Sequence, residues 1–65
     1  MQMIALHRLS GEPFVLNAEW IKTIESNPDT RVVLLNGEVY LVRETRDEVT
    51  QKAVAYKREV SSSHA

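Results

Sequence analysis

The chain has no cysteine, and this absence removes a whole group of small-domain architectures. Disulfide frameworks and thiolate sites for zinc or iron–sulfur clusters all need cysteine. Two histidines, one of them next to the C-terminus, do not predict a structural metal either. A chain of 65 residues buries only about 60% of the surface that it exposes when unfolded. Stability must therefore come from close packing, from self-association or from both.

Long apolar runs and an excess of charge of one sign are also missing. The longest apolar runs are four residues, as at 32–35, whereas a helix needs about 20 apolar residues to cross a bilayer. The N-terminus has no signal-peptide pattern, so we predict a cytoplasmic protein without membrane insertion. Eight basic and nine acidic residues give a net charge of −1. The net charge therefore produces no overall electrostatic attraction to a nucleic acid.

Glycine and proline occur only twice each, so the few that are present mark turns. The turn formers at 10–13 separate short apolar segments at 3–9 and 14–16, which we predict to pair as a hairpin. A second hairpin joins strands at 31–35 and 39–43. Its Asn36-Gly37 pair readily adopts the positive φ angles of a two-residue type I′ turn.

The segment 19–26 fits either a strand or a helix. Ile21 and Ile24 are three residues apart, as on one face of a helix. The β-branched residues of the segment favour a strand with a bulge. We predict the strand, followed by a turn at 26–29, and leave the helix open.

The last element is a helix that begins at Thr45. Thr45 and Glu48 have the spacing of a capping box. One apolar stripe then follows at helical spacing, formed by Val49, Ala53, Tyr56 and Val60. We therefore predict an α+β fold, with a small antiparallel sheet of four to five strands followed by one C-terminal α-helix. Residues 1–60 form the single domain and residues 61–65 a disordered polar tail.

Several predicted strands are apolar on both faces. One helix covers only one face of a sheet, so the other face must close into a barrel or meet a second copy of the chain. We predict self-association into a homo-oligomer.

No group of side chains predicts catalysis. Acidic residues gather where the last strand meets the helix, at Glu44, Asp47 and Glu48. They fit the cap and the dipole of the helix better than an acid–base or metal site. His7 has no nucleophile marked out beside it. We predict no enzymatic activity, no metal-ligating residue and no cofactor.

Three blocks of the sequence carry a family pattern. They are Leu9-x-Gly11-x-x-Phe14-x-Leu16-Asn17, then Ile24-Glu25-x-x-Pro28-Asp29-Thr30, then Leu34-x-Asn36-Gly37-x-x-Tyr40-x-Val42-Arg43-Glu44-Thr45. Together they resemble the FlbD/SwrD family of small flagellar and swarming motility proteins, over about residues 3–60. The resemblance brings no catalytic residue. It implies a bacterial protein at the cytoplasmic face of the flagellar motor that supports motor torque through the stator by protein–protein binding.

Two functional hypotheses follow. In the first, the chain binds a flagellar motor or stator component through a surface that includes Trp20, Arg43 and Lys57, since Trp and Arg often carry interface energy. The alternative is a small dimeric RNA- or DNA-binding regulator of flagellar genes. Carbon-storage-type RNA regulators share the layout of five short strands and a helix. In that reading, arginines gathered beside Phe14 or Tyr40 would contact the nucleic acid.

Overall fold

The computed structural model describes the backbone of residues 3–63 and the side chains of residues 3–55. Over residues 3–63, five strands precede one helix, which confirms the α+β class. The elements are β1 (Met3–His7), β2 (Pro13–Asn17), a short 3-10 helix (Ala18–Trp20), β3 (Ile21–Ser26), β4 (Thr30–Leu34), β5 (Val39–Val42) and α1 (Arg46–Ser63).

The strands form two antiparallel sheets, so the prediction of a single sheet of four to five strands is wrong. β1 pairs with β2, and β3, β4 and β5 form a three-stranded sheet in that order. The sheets meet at one bridge between Arg8 and Val42, beside the hydrogen bond that the Arg43 N–H donates to the His7 carbonyl at 2.9 Å. Both backbone groups of Arg8 already bond within its own hairpin, to Glu12 and Gly11. The ladder between β1 and β5 therefore stops after one bridge.

The hairpin at Asn36-Gly37 is confirmed, but the two-residue type I′ turn is wrong. The Leu34 N–H donates to the Glu38 carbonyl at 2.8 Å, which leaves a loop of three residues. Gly37 has a φ of +91°, whereas Asn36 lacks the positive φ that a type I′ turn requires at both central positions. The loop is of the kind in which one glycine takes the left-handed conformation before the second strand.

The β1–β2 loop repeats this geometry. The Arg8 N–H donates to the Glu12 carbonyl at 2.9 Å, and the Gly11 N–H donates to the Arg8 carbonyl at 2.8 Å. Gly11 has a φ of +97°. The two loops read Leu-Ser-Gly-Glu at 9–12 and Leu-Asn-Gly-Glu at 35–38. The two hairpins therefore have the same type of three-residue loop.

The ambiguous segment begins as a 3-10 turn and continues as a strand. The side chain of Asn17 accepts a hydrogen bond from the Glu19 N–H at 2.9 Å and so caps the 3-10 helix that ends at Trp20. β3 then pairs with β4, with a shift in register between Ile21 and Thr23. The predicted bulged strand is confirmed over Ile21–Ser26, and the helical alternative is excluded there.

The core lies between the inner faces of the two sheets and the first turn of α1. Among the described side chains, the buried apolar ones are Ile4, Leu6, Leu16, Val32, Leu34, Val42 and Val49. Val49 is the helix residue among them and is fully buried, so the helix closes the open side of the core. The predicted stripe holds for Val49 and for the half-buried Ala53. The side chains of Tyr56 and Val60 lie outside the described part of the chain.

The helix begins as predicted. The Thr45 N–H donates to the Glu48 carboxylate at 2.9 Å, and the Glu48 N–H donates to the Thr45 hydroxyl at 3.1 Å. These reciprocal bonds are the capping box. The helix includes residues 61–63 of the segment expected to be a polar tail, whereas residues 64 and 65 lie outside the described chain.

Candidate interaction surface

One face of the three-stranded sheet points away from the core, and we refer to it as the outer face. The strand register places six alternating residues on it: Thr23, Glu25, Arg31, Val33, Val39 and Leu41. Val39 and Leu41 are each 42% exposed, although both are aliphatic. The helix packs on the opposite, inner side, as the burial of Val49 shows. The outer face is therefore a partly apolar surface that no described element covers.

Trp20 and Leu35 lie together at one end of this sheet. The Leu35 N–H donates to the Trp20 carbonyl at 2.8 Å, which makes the two residues backbone neighbours. Trp20 is 49% exposed and Leu35 is 64% exposed. We refer to this pair as the Trp20–Leu35 end. The Trp20 side chain is therefore half-exposed and is not a buried core residue.

A groove of about 480 Å³ lies toward the other end, where a turn joins β3 to β4. Asn27, Pro28 and Asp29 of that turn form one wall. Arg31, Val39 and Leu41 of the outer face complete the lining. The groove thus combines an aliphatic floor with charged groups of both signs.

The structure does not bring Arg43 close to Trp20. Arg43 follows Val42, which pairs with Thr30, whereas Trp20 precedes Ile21, which pairs with Leu34. The two rows are four positions apart on β4, or about 14 Å along an antiparallel strand. The predicted surface residues Trp20 and Arg43 are therefore at opposite ends of the sheet.

The Arg43 side chain holds the β1–β2 loop. Its Nε donates to the Leu9 carbonyl at 2.9 Å. Its guanidinium lies over Gly11, where an added Cβ would meet it at 3.5 Å. Arg43 thus has a structural role that the sequence did not indicate. The third predicted residue, Lys57, has a side chain outside the described part of the chain.

Phe14 and Tyr40 stack on each other and on Arg8. Their ring centroids are 5.3 Å apart. The Arg8 guanidinium lies 4.7 Å from the Phe14 centroid and 5.4 Å from that of Tyr40. The two rings occupy equivalent positions after the two Leu-x-Gly-Glu loops. This repeat is the sequence signal that could have revealed the stack.

Carboxylates flank the same stack. The Arg8 Nε donates to the Glu12 carboxylate at 3.2 Å, and the Tyr40 hydroxyl donates to the Glu38 carboxylate at 3.0 Å. The pKa of Tyr40 is raised, first by that hydrogen bond and then by the negative charge of Glu38. In the nucleic-acid hypothesis these rings would stack on bases. In the structure, Arg8 of the same chain lies over both rings, and the carboxylates of Glu12 and Glu38 lie beside the stack.

His7 and Glu44 connect the two sheets. The Glu44 carboxylate accepts the His7 backbone N–H at 2.9 Å and lies 2.7 Å from His7 Nδ1. The two residues are 37 positions apart in the chain. The Glu44 side chain is only 11% exposed. The sequence indicated no role for the His7 ring. In the structure, its Nδ1 contacts the Glu44 carboxylate and so helps to join the two sheets.

The pKa of Glu44 lies below its ordinary value of 4.5. Burial of the carboxyl is the largest single influence and raises the pKa, because it disfavours the charged form. The hydrogen bonds from the His7 side chain and backbone, and the bond from the Glu44 N–H, together outweigh it. The net result is a carboxylate held in its ionised form at the junction.

Replacing Glu44 with alanine is expected to lower the free energy of unfolding by about 1–3 kcal/mol, because the His7 N–H loses its acceptor. The pH dependence follows from the lowered pKa. The contribution of Glu44 is complete above its unfolded-state pKa and is lost as pH falls through the folded-state value. Urea unfolding from neutral to acidic pH measures both effects. The Glu44→Gln variant keeps an acceptor oxygen but cannot be protonated, so its free energy of unfolding should fall less steeply from neutral to acidic pH. The same steepness as in the unmodified protein would contradict this account.

Within the described residues, no group of three or more histidines, aspartates or glutamates is placed to hold a metal ion. Among these residues there is also no helix with the length and apolar character needed to cross a membrane.

The model of the family described as FlbD, flagellar and swarming motility proteins, matches residues 3–61. The chain belongs to the FlbD family. The match covers nearly the whole sequence and contains the Trp20–Leu35 end, the outer face and both Leu-x-Gly-Glu loops. Membership of FlbD confirms the predicted family and makes this a flagellar or swarming motility protein. No curated protein and no solved structure matches the chain.

Proposed function

We propose that this chain binds a protein component of the flagellar motor or stator and supports motor torque from the cytoplasmic face of the motor. It acts by binding, without enzymatic activity. The observation that carries the proposal is the exposure of Trp20 beside Leu35 in a member of a motility family.

The energetic argument rests on the type of residue that is exposed. Tryptophan is enriched among the few residues that dominate binding energy at protein interfaces. Trp20 is 49% exposed although it is the only tryptophan of a small domain that has few large side chains for its core. The neighbouring Leu35 extends the apolar area. A partner that covers both side chains would gain their burial in one contact.

Arg43 and Lys57 remain proposed members of the binding surface. The Arg43 guanidinium is bound to the Leu9 carbonyl, so we expect Arg43 to act mainly through the loop that it holds. A partner that reached Arg43 would contact this loop, whose tip carries the exposed Leu9.

We also propose that copies of the chain associate through the outward side of β1 and β2. Met3 is 47% exposed and Val15 is 60% exposed. Ala5 pairs with Val15 and lies between these side chains on the same side. Equilibrium sedimentation over a range of protein concentrations measures this association directly.

Deletion of the gene is expected to reduce single-motor torque while the number of filaments stays normal. A protein that supports torque through the stator changes the force of a motor that is already assembled, so the filaments should still form. Filament counts by electron microscopy and torque from a bead attached to one filament separate the two effects. Loss of filaments would instead indicate a role in assembly or gene regulation, and normal torque would contradict the proposal.

A further inference from the structure

The groove at the Asn27–Asp29 turn has features that the Trp20–Leu35 end lacks. It offers about 480 Å³ lined by Val39, Leu41 and Arg31 together with the turn residues. This volume is in the range that takes a ligand of drug size. A few residues of a partner would fill it, whereas a whole domain surface would not.

Arg31 is an exposed residue that lines this groove. Within the part of the chain that the structure describes, its guanidinium makes no hydrogen bond or ion pair. Glu25 lies directly opposite Arg31 on β3, yet its carboxylate accepts a bond from the Thr23 hydroxyl at 3.2 Å. Of two neighbours with opposite charge, the arginine is therefore left available to an outside group.

We propose that the groove binds a short segment of a partner protein in which an aliphatic side chain stands next to a carboxylate. The aliphatic group lies on Val39 and Leu41, each 42% exposed, and the carboxylate pairs with the Arg31 guanidinium. A guanidinium matches a carboxylate through two parallel hydrogen bonds, which gives orientation as well as affinity. This inference rests on the proposed function in taking the occupant to be protein.

The charges around the groove favour such a segment over nucleic acid. Arg31 is the one cation of the lining, and Asp29 stands beside it. A phosphate chain needs several cations along its path, and Arg31 alone does not supply them. The aliphatic floor also offers no aromatic ring on which a base could stack.

A peptide titration of the full chain tests the groove. The probes are a blocked tetrapeptide of sequence Leu-Glu-Leu-Glu, the same peptide with lysine for glutamate, and a ten-nucleotide uridine RNA. We expect the acidic peptide to shift the backbone amide signals of Arg31, Val39 and Leu41 in nuclear magnetic resonance spectra, and the other two probes to leave them in place. Equal shifts with the lysine peptide, shifts with the RNA, or shifts on dilution of the protein alone would overturn the proposal.

Variants at Arg31 separate charge from fold. Arg31→Gln keeps the length of the side chain and should weaken binding of the acidic peptide about tenfold. Arg31→Lys should retain part of the affinity. Lys52→Gln, an exposed cation of the helix, is the matched control and should bind normally. Full affinity of Arg31→Gln would contradict the proposal.

The same variant distinguishes this inference from the proposed function. If deletion of the gene lowers torque but cells with Arg31→Gln swarm normally, the motor role stands and the groove proposal fails. If the peptide result holds but deletion leaves torque unchanged, the groove chemistry stands and the motor role fails.

Discussion

Replacing Leu6 with alanine is expected to remove a large share of the free energy of unfolding. Leu6 has no exposed surface and lies in the cluster that receives side chains from both sheets and from the helix. Leucine-to-alanine changes in cores cost about 2–5 kcal/mol. A chain of this length has a total stability of about 3–10 kcal/mol. One substitution can therefore remove about half of it.

Urea unfolding followed by circular dichroism measures this loss. The matched control is Leu9→Ala, because Leu9 lies at a loop tip with 41% of its surface exposed. The backbone carbonyl that binds Arg43 remains in the control. We expect the control to change stability by less than about 0.5 kcal/mol. Equal unfolding midpoints for the two variants would show that the two sheets do not share the core described here.

Replacing Trp20 with alanine is expected to abolish most of the swarming of a complemented strain while the domain stays folded. The side chain is half-exposed, and the 3-10 helix that ends with it contains no buried residue, so its removal opens no closed cavity in the core. A partner that uses Trp20 as an anchor would lose at least about 2 kcal/mol of binding energy. That loss corresponds to a weakening of about thirtyfold.

The measurement pairs swarm expansion with thermal unfolding of the purified variant. Val54→Ala is the control, since Val54 is an apolar residue of similar exposure, 41%, that lies on the helix and not on the sheet. Normal swarming of both variants would remove Trp20 from the functional surface. Unfolding of the Trp20→Ala protein would assign the residue to the core.

The elements that the sequence predicts correctly are those specified by local bonds. Thr45 and Glu48 bond to each other across three residues, so their spacing reports the helix start directly. Gly37 marks a hairpin because few other residues adopt its φ. The exact loop was not predictable from Asn36-Gly37 alone, because that pair fits both the two-residue and the three-residue loop.

The division into two sheets depends on contacts between distant residues. It is decided at Arg8, whose backbone bonds within the β1–β2 loop and leaves a single bridge to β5. The His7–Glu44 pair and the Arg43–Leu9 bond join positions that no short pattern relates. For the same reason, the sequence could propose Trp20 and Arg43 as surface residues but could not reveal that they lie at opposite ends of the sheet.

The most direct test of the motor role is a cross-link from the position of Trp20 inside the cell. A photoreactive phenylalanine analogue replaces Trp20 in one strain and Val54 in a control strain, and the adducts formed on illumination are identified by mass spectrometry. We predict an adduct with a flagellar motor or stator protein from position 20 and none from position 54. Adducts from position 20 that contain only a second copy of the chain, or only RNA, would contradict the account.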